Sequence, residues 1–159
     1  MQVLISDANI LIDMEVGGLL EPLFALPFQF KVADLLYYEE LEEQHPHLPE
    51  LGLQITGLSA TSMTEAMRLT ALYGSPSRYD CFALALAKQE DCPLLTGDGR
   101  LRKAAEQEAV IVMGTIWLVE QMVIHQIIDK AKAEAAYDQM EASGSRLPWK
   151  QARARMAQL

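Results

Sequence analysis

Short apolar runs alternate along this chain with longer stretches in which apolar residues recur every three or four positions. Met1–Ser6 (MQVLIS) is a compact apolar run and predicts a buried strand. Asp7–Glu15 comes next, with Ile10, Leu11 and Met14 at helical spacing. Phe28–Ala33 predicts a second strand, and Asp34–Glu43 (DLLYYEELEE) a helix with strong helix formers and an acidic start. The segment His45-Pro46-His47-Leu48-Pro49 reads as a break, and Leu51–Leu58 holds a third strand. Ser62 and Glu65 have capping-box spacing and predict a helix through about Tyr73, ended by Gly74-Ser75-Pro76. The pattern then gives helix Ser77–Gln89, strand Pro93–Thr96, helix Arg100–Glu108, strand Val110–Met113 and helix Gly114–Gln126. Two further helices, over 129–142 and 148–157, flank Ser143-Gly144-Ser145.

Strands that alternate with helices predict an α/β fold: a three-layer sandwich with a central parallel sheet covered on both faces. The helix from Ser77 carries CFALALA, apolar on every side, so it belongs in the middle of a layer. In such sheets ligands bind beyond the carboxyl ends of the strands. Three aspartates fall there. Asp7 follows the first strand directly, Asp98 follows the strand Pro93–Thr96 after Gly97, and Asp80 sits in the first turn of the buried helix.

Each aspartate alone has an ordinary explanation as a helix cap. Three on one predicted edge would repel one another, and a cation would remove that repulsion. Oxygen donors without Cys or His suit Mg²⁺ or Mn²⁺. A fourth acid is expected from the helix Asp34–Glu43. Val32, Leu35, Leu36 and Leu41 mark its buried stripe, and Glu40, bordering Leu41, is preferred to Glu39.

Composition narrows the class. The formal net charge is -9, from 22 acids and 13 bases, so bulk attraction to a polyanion is excluded. The charge is uneven: residues 1–65 hold 11 acids and only Lys31 among the bases. Residues 78–103 hold 5 bases against 4 acids, so a nucleic-acid backbone would have to be met there, by Arg100 and Arg102. Cys81 and Cys92 form neither a CxxC nor a zinc pattern, and no apolar run of about 20 residues is present to span a membrane. The chain enters an apolar strand at once, without a basic region or cleavage site, which points to a cytoplasmic protein. His125 lies on a mostly apolar helix and reads as a core histidine.

The pieces VLISDANILID, DLLYYEEL, SRYDCFALALA, LLTGDGRLRKAA and GTIWLVEQM occur in an order that resembles a PIN-domain protein, the fold of VapC-type ribonuclease toxins. The resemblance runs from about Met1 to Met122. It implies a PIN-like nuclease domain over 1–126 and a C-terminal helical extension over 127–159 packed on or beside it. It also implies that Asp7, Glu40, Asp80 and Asp98 bind divalent metal for hydrolysis of single-stranded RNA, and that Asn9 and Thr96 flank that site. Arg100 is the expected substrate contact. The further acid that the family places after Asp98 is absent, since Gly99, Arg100, Leu101 and Arg102 occupy those positions. The expected partners are an RNA substrate, a small antitoxin and a second copy of the chain. The rival readings are a PIN-fold binding module without activity and a haloacid-dehalogenase-like phosphatase. The latter needs an Asp where this chain has Asn9.

Overall fold

The computed structural model describes residues 1–159. Five parallel strands form one sheet: β1 (Gln2–Ser6), β2 (Phe28–Ala33), β3 (Gln54–Thr56), β4 (Leu94–Leu95) and β5 (Val112–Met113). Their order is β3-β2-β1-β4-β5. The chain builds outward from β1 to one edge, returns, and builds outward on the other side through β4. The reversal lies between β1 and β4, where an open α/β sheet leaves a crevice at its carboxyl edge.

Ten helical segments cover the two faces. They are α1 (Ala8–Val16), α2 (Leu20–Ala25), α3 (Asp34–Leu36), α4 (Leu48–Leu51), α5 (Ala60–Tyr73), α6 (Arg78–Glu90), α7 (Gly99–Gln107), α8 (Thr115–Ile124), α9 (Lys130–Ala142) and α10 (Trp149–Ala157). On one face α6 packs under β1, β2 and β4 with α3, α5 and α7 around it; every residue from Cys81 to Ala87 is buried. On the other face α1, α2, α8 and α9 pack together, and α10 packs on α9.

Where the pattern and the fold differ, turn chemistry and side-chain partners explain it. Leu20–Ala25 and Leu48–Leu51 are short helices, the second begun by Pro49 in its first turn, inside the segment that the sequence marked as a break. The helix from Asp34 is regular only to Leu36 and then widens into a π-helical turn over Tyr37–Leu41, closed by the Glu42 N–H donating to the Tyr37 carbonyl at 2.8 Å. α5 begins at Ala60, because Ser59 rather than Ser62 accepts the capping bond, from the Ser62 N–H. Glu65 instead pairs with Arg68 and Lys88. His125 is exposed at the end of α8, its ring edge-on to Phe28 at 6.3 Å, and not in the core.

One cluster of 43 buried apolar residues runs from Leu4 to Met156, so α9 and α10 share the core of the sheet. Gly17 permits this. A Cβ there would lie 2.6 Å from Met140 Cε and 3.3 Å from Ala136 Cβ, so a bare backbone lets α9 close on α1. Glu120, only 4 % exposed, accepts from the Nε and one Nη of Arg155 in α10, each at 2.8 Å. That pairing satisfies a carboxylate that burial would otherwise penalise.

Met140 is fully buried between α9 and α1. Met140→Ala is therefore expected to cost about 3 kcal/mol. Circular dichroism and tryptophan fluorescence should report a single coincident urea transition. Two separated transitions would contradict the shared core.

Candidate metal centre

The backbone ladder fixes Asp7. Ser6 pairs with Leu95, and the Asp7 N–H donates to the Leu95 carbonyl at 3.0 Å, so Asp7 stands opposite Thr96 across the reversal point. The Thr96 hydroxyl donates to Asp7 Oδ2 at 2.5 Å and accepts from the Asp98 N–H at 3.1 Å. One buried hydroxyl thus ties together the residues that end β1 and β4.

All three aspartates cap helices. Asp7 Oδ1 accepts from the Ile10 N–H at 3.0 Å. Asp98 Oδ1 accepts from the Arg100 and Leu101 N–H groups at 2.7 and 3.3 Å. Asp80 forms a reciprocal capping box: its Oδ2 accepts from the Ser77 N–H at 3.0 Å, and the Ser77 hydroxyl accepts from the Asp80 N–H at 3.1 Å. Capping leaves Asp80 Oδ1 and Asp98 Oδ2 without a hydrogen bond, and Glu40 caps nothing.

Capping does not account for their surroundings. Asp7 is 3 % exposed, and no cation pairs with it. Burial pushes its carboxyl up to about 6; the bonds from Thr96 and Ile10 pull the other way, and the charges of Asp80 and Asp98 push further up. Glu40 is likewise held above the usual carboxylate range, by partial burial first and then by Asp80 and Glu39. The four acids therefore act on one another, Asp7 with Asp80 and Asp98, Asp80 with Glu40. None of them takes part in an ion pair, whereas Glu65, Glu90, Glu108 and Glu120 all do.

As the side chains stand, no three acidic, His or Cys groups are gathered closely enough to hold a metal ion. The donor set itself fits a hard divalent cation. It consists of carboxylate oxygens only, several of them unbonded, around one buried charge that lacks a counter-charge.

The remaining expected residues divide. Asn9 is exposed on the first turn of α1 and lines a cavity of about 360 Å³ with Asp13, Asp98 and the loop from Ser143 to Leu147. Arg100 lines a separate cavity of about 230 Å³ with Tyr73, Ser75, Pro76 and Lys103. Asp13 is a residue that sequence reasoning missed. It is half-buried, with its carboxyl raised by burial and held by the Ser145 hydroxyl at 2.9 Å and the Thr115 hydroxyl at 3.4 Å. Its signal was available only as the first acid within α1, one helical turn beyond Asn9. Its partners are about 100 residues or more away in sequence.

A family model described as a PIN domain matches residues 3–159. Among solved structures the chain is similar to a PilT N-terminus domain protein from the hyperthermophilic archaeon Sulfolobus solfataricus P2. That likeness has 13 % identity and a TM-score of 0.54, and covers 77 % of this chain and 94 % of that one; it speaks to the fold. A search of the curated proteins finds no match. No helix is long and apolar enough to cross a membrane.

The burial of Asp7 has a pH signature. Its folded value lies above its unfolded one, so the stability it contributes is complete below about pH 4 and is lost as pH rises through about 6. At neutral pH the ionised form costs the metal-free fold about 3 kcal/mol. Asp7→Asn keeps a capping oxygen and removes the charge. In chelator, it should raise the unfolding free energy at pH 7.5 by up to that amount and change it little at pH 4. An equal change at both pH values would rule out a desolvated charge at Asp7.

Proposed function

The chain belongs to the PIN-domain family, whose members are typically nucleases using divalent metal ions, and on that premise we propose that it is a metal-dependent endoribonuclease acting on single-stranded RNA. The observation that carries the reading is Asp7: a buried carboxylate without a counter-ion, raised further by Asp80 and Asp98, at the reversal point of the sheet.

A phosphodiester is anionic and resists attack by water. Bound Mg²⁺ or Mn²⁺ would neutralise the phosphate and lower the pKa of the attacking water. Asp7, Asp80 and Asp98 are the residues that would hold the ion. Thr96 keeps the Asp7 carboxylate oriented through its hydroxyl. Glu40, which neither caps a helix nor pairs with a cation, would be a further ligand or the group that orients the attacking water. The Asn9 side-chain amide meets a phosphate oxygen from the first turn of α1. Arg100, with Lys103, meets the strand on the side of α5. On the same reading the chain acts in the cytoplasm as a homodimer and as the toxin of a toxin–antitoxin pair.

A second reading, a PIN-fold binding module without activity, has one observation in its favour: no three ligating groups are gathered. Two measurements separate them. In thermal unfolding, Mn²⁺ should stabilise the parent relative to chelator, and should stabilise Asp7→Asn, Asp80→Asn and Asp98→Asn less, because binding to the folded state alone raises stability. With a labelled single-stranded RNA, cleavage should require Mg²⁺ or Mn²⁺ and fall by about a hundredfold or more in each variant. No metal-induced shift and no cleavage would leave the binding module. Turnover of a small phosphomonoester in place of RNA would favour the phosphatase.

A further inference from the structure

On the other side of α7 from Arg100 lies a cavity of about 450 Å³ that contains no acid. Arg102 and Arg146 line it, with Gly97, Gly114, Thr115 and Trp117. Neither arginine forms an ion pair or a side-chain hydrogen bond, in a chain where Arg68, Arg153 and Arg155 each hold carboxylates. Arg146 and Gly97 also line the neighbouring cavity with Asn9, Asp13 and Asp98, so the two hollows meet at Arg146 beside the carboxylate edge, although neither aspartate pairs with it.

We propose that Arg102 and Arg146 form a phosphate-binding subsite for the nucleic-acid backbone, continuing the path of the strand away from Asp98. This rests on the nuclease reading for its direction but stands on its own chemistry. Two guanidiniums that share a cavity free of carboxylates have no protein partner to give up, and a phosphodiester is the anion that such planar donors match. The net charge of -9 makes this the more telling, since a backbone approaching the acids needs local positive charge.

The backbone next to Arg146 is held in place by the fold. The Ser145 hydroxyl donates to Asp13 Oδ1 at 2.9 Å, and the Ser145 N–H donates to the Met140 carbonyl at 3.1 Å. The Trp149 indole N–H donates to the Ser145 carbonyl at 3.0 Å. These bonds pin the α9–α10 loop to α1, the helix that Asp7 caps. On the opposite wall, Arg102 lies along Gly114, where an added Cβ would stand 3.8 Å from its guanidinium nitrogen. Trp117 is half-buried and stacked on Phe28 at 5.7 Å and 27°, so it is a rigid wall.

The test measures binding and cleavage on the full chain. Fluorescence anisotropy with a labelled single-stranded RNA in chelator, over a series of salt concentrations, reads phosphate contacts without turnover. Arg102→Ala and Arg146→Ala should each weaken binding about tenfold and flatten the salt slope by about 0.7. Arg146→Lys should keep the slope, because the charge remains. Lys150→Ala, a change at an exposed cation of the same tail outside the cavity, should alter neither. In Mn²⁺ the loss in the arginine variants should appear in KM. If Lys150→Ala weakens binding as much, or if neither arginine variant changes the slope, the subsite is overturned while cleavage by the parent still upholds the nuclease. If the arginine variants lose slope but the parent never cleaves RNA, the subsite stands and the nuclease reading fails.

Discussion

A carboxylate buried without a counter-charge is among the more expensive groups a small domain can carry, and Asp7 is one. The chain buries a second acid, Glu120, but gives it a two-pronged partner in Arg155. Nothing comparable is given to Asp7. Two hydrogen bonds, from Ile10 and Thr96, support its charged form, yet burial and the fields of Asp80 and Asp98 outweigh them. Much of the local architecture serves to keep that one side chain where it is. The β1–β4 ladder runs on to Asp7, Thr96 is buried to meet it, and α1 starts on it as a cap.

The acids of this edge come from elements that only a doubly wound sheet brings together. β1 and β4 are neighbours although almost 90 residues separate them, because the chain builds one half of the sheet before starting the other. α6, apolar all round, lies beneath both strands and delivers Asp80 at its mouth. The π-helical turn over Tyr37–Leu41 delivers Glu40 from the β2 side. A helix that widens by one residue in a turn shifts the phase of every residue after it, and such turns recur at functional positions.

Beside the acids the chain sets uncommitted arginines. Several of its basic side chains are committed to carboxylates: Arg68 and Lys88 join Glu65 and Glu108 across α5, α6 and the end of α7, and Arg153 joins Asp138 and Glu141 within the C-terminal pair. Arg102 and Arg146 are left facing one cavity. An acidic protein that gathers unpaired positive charge in one hollow next to its acids can hold a polyanion along one path without binding polyanions generally.

The sequence by itself determined the alternation of strands and helices, the parallel sheet and the buried character of α6. Each rests on local periodicity, which the chain carries within a window of a dozen residues. It also placed Asp7, Asp80 and Asp98 at one edge, since a residue just past a parallel strand, or at the start of a returning helix, has nowhere else to lie. It read each of the three aspartates as a helix cap, which is a short-range bond. What only the tertiary structure decided is long-range. The hydroxyl of Thr96 between Asp7 and Asp98, the grip of Asp13 on Ser145, and the meeting of Arg102 with Arg146 join residues that no local pattern relates. The true start of α5 at Ala60 was likewise settled by the Ser59 cap rather than by propensity, and the exposure of His125 and the π-helical turn belong to the packed chain. The same holds for the acids themselves. Their type and place are written in the sequence, but the burial that turns Asp7 from a helix cap into a strained charge is a property of the packed fold.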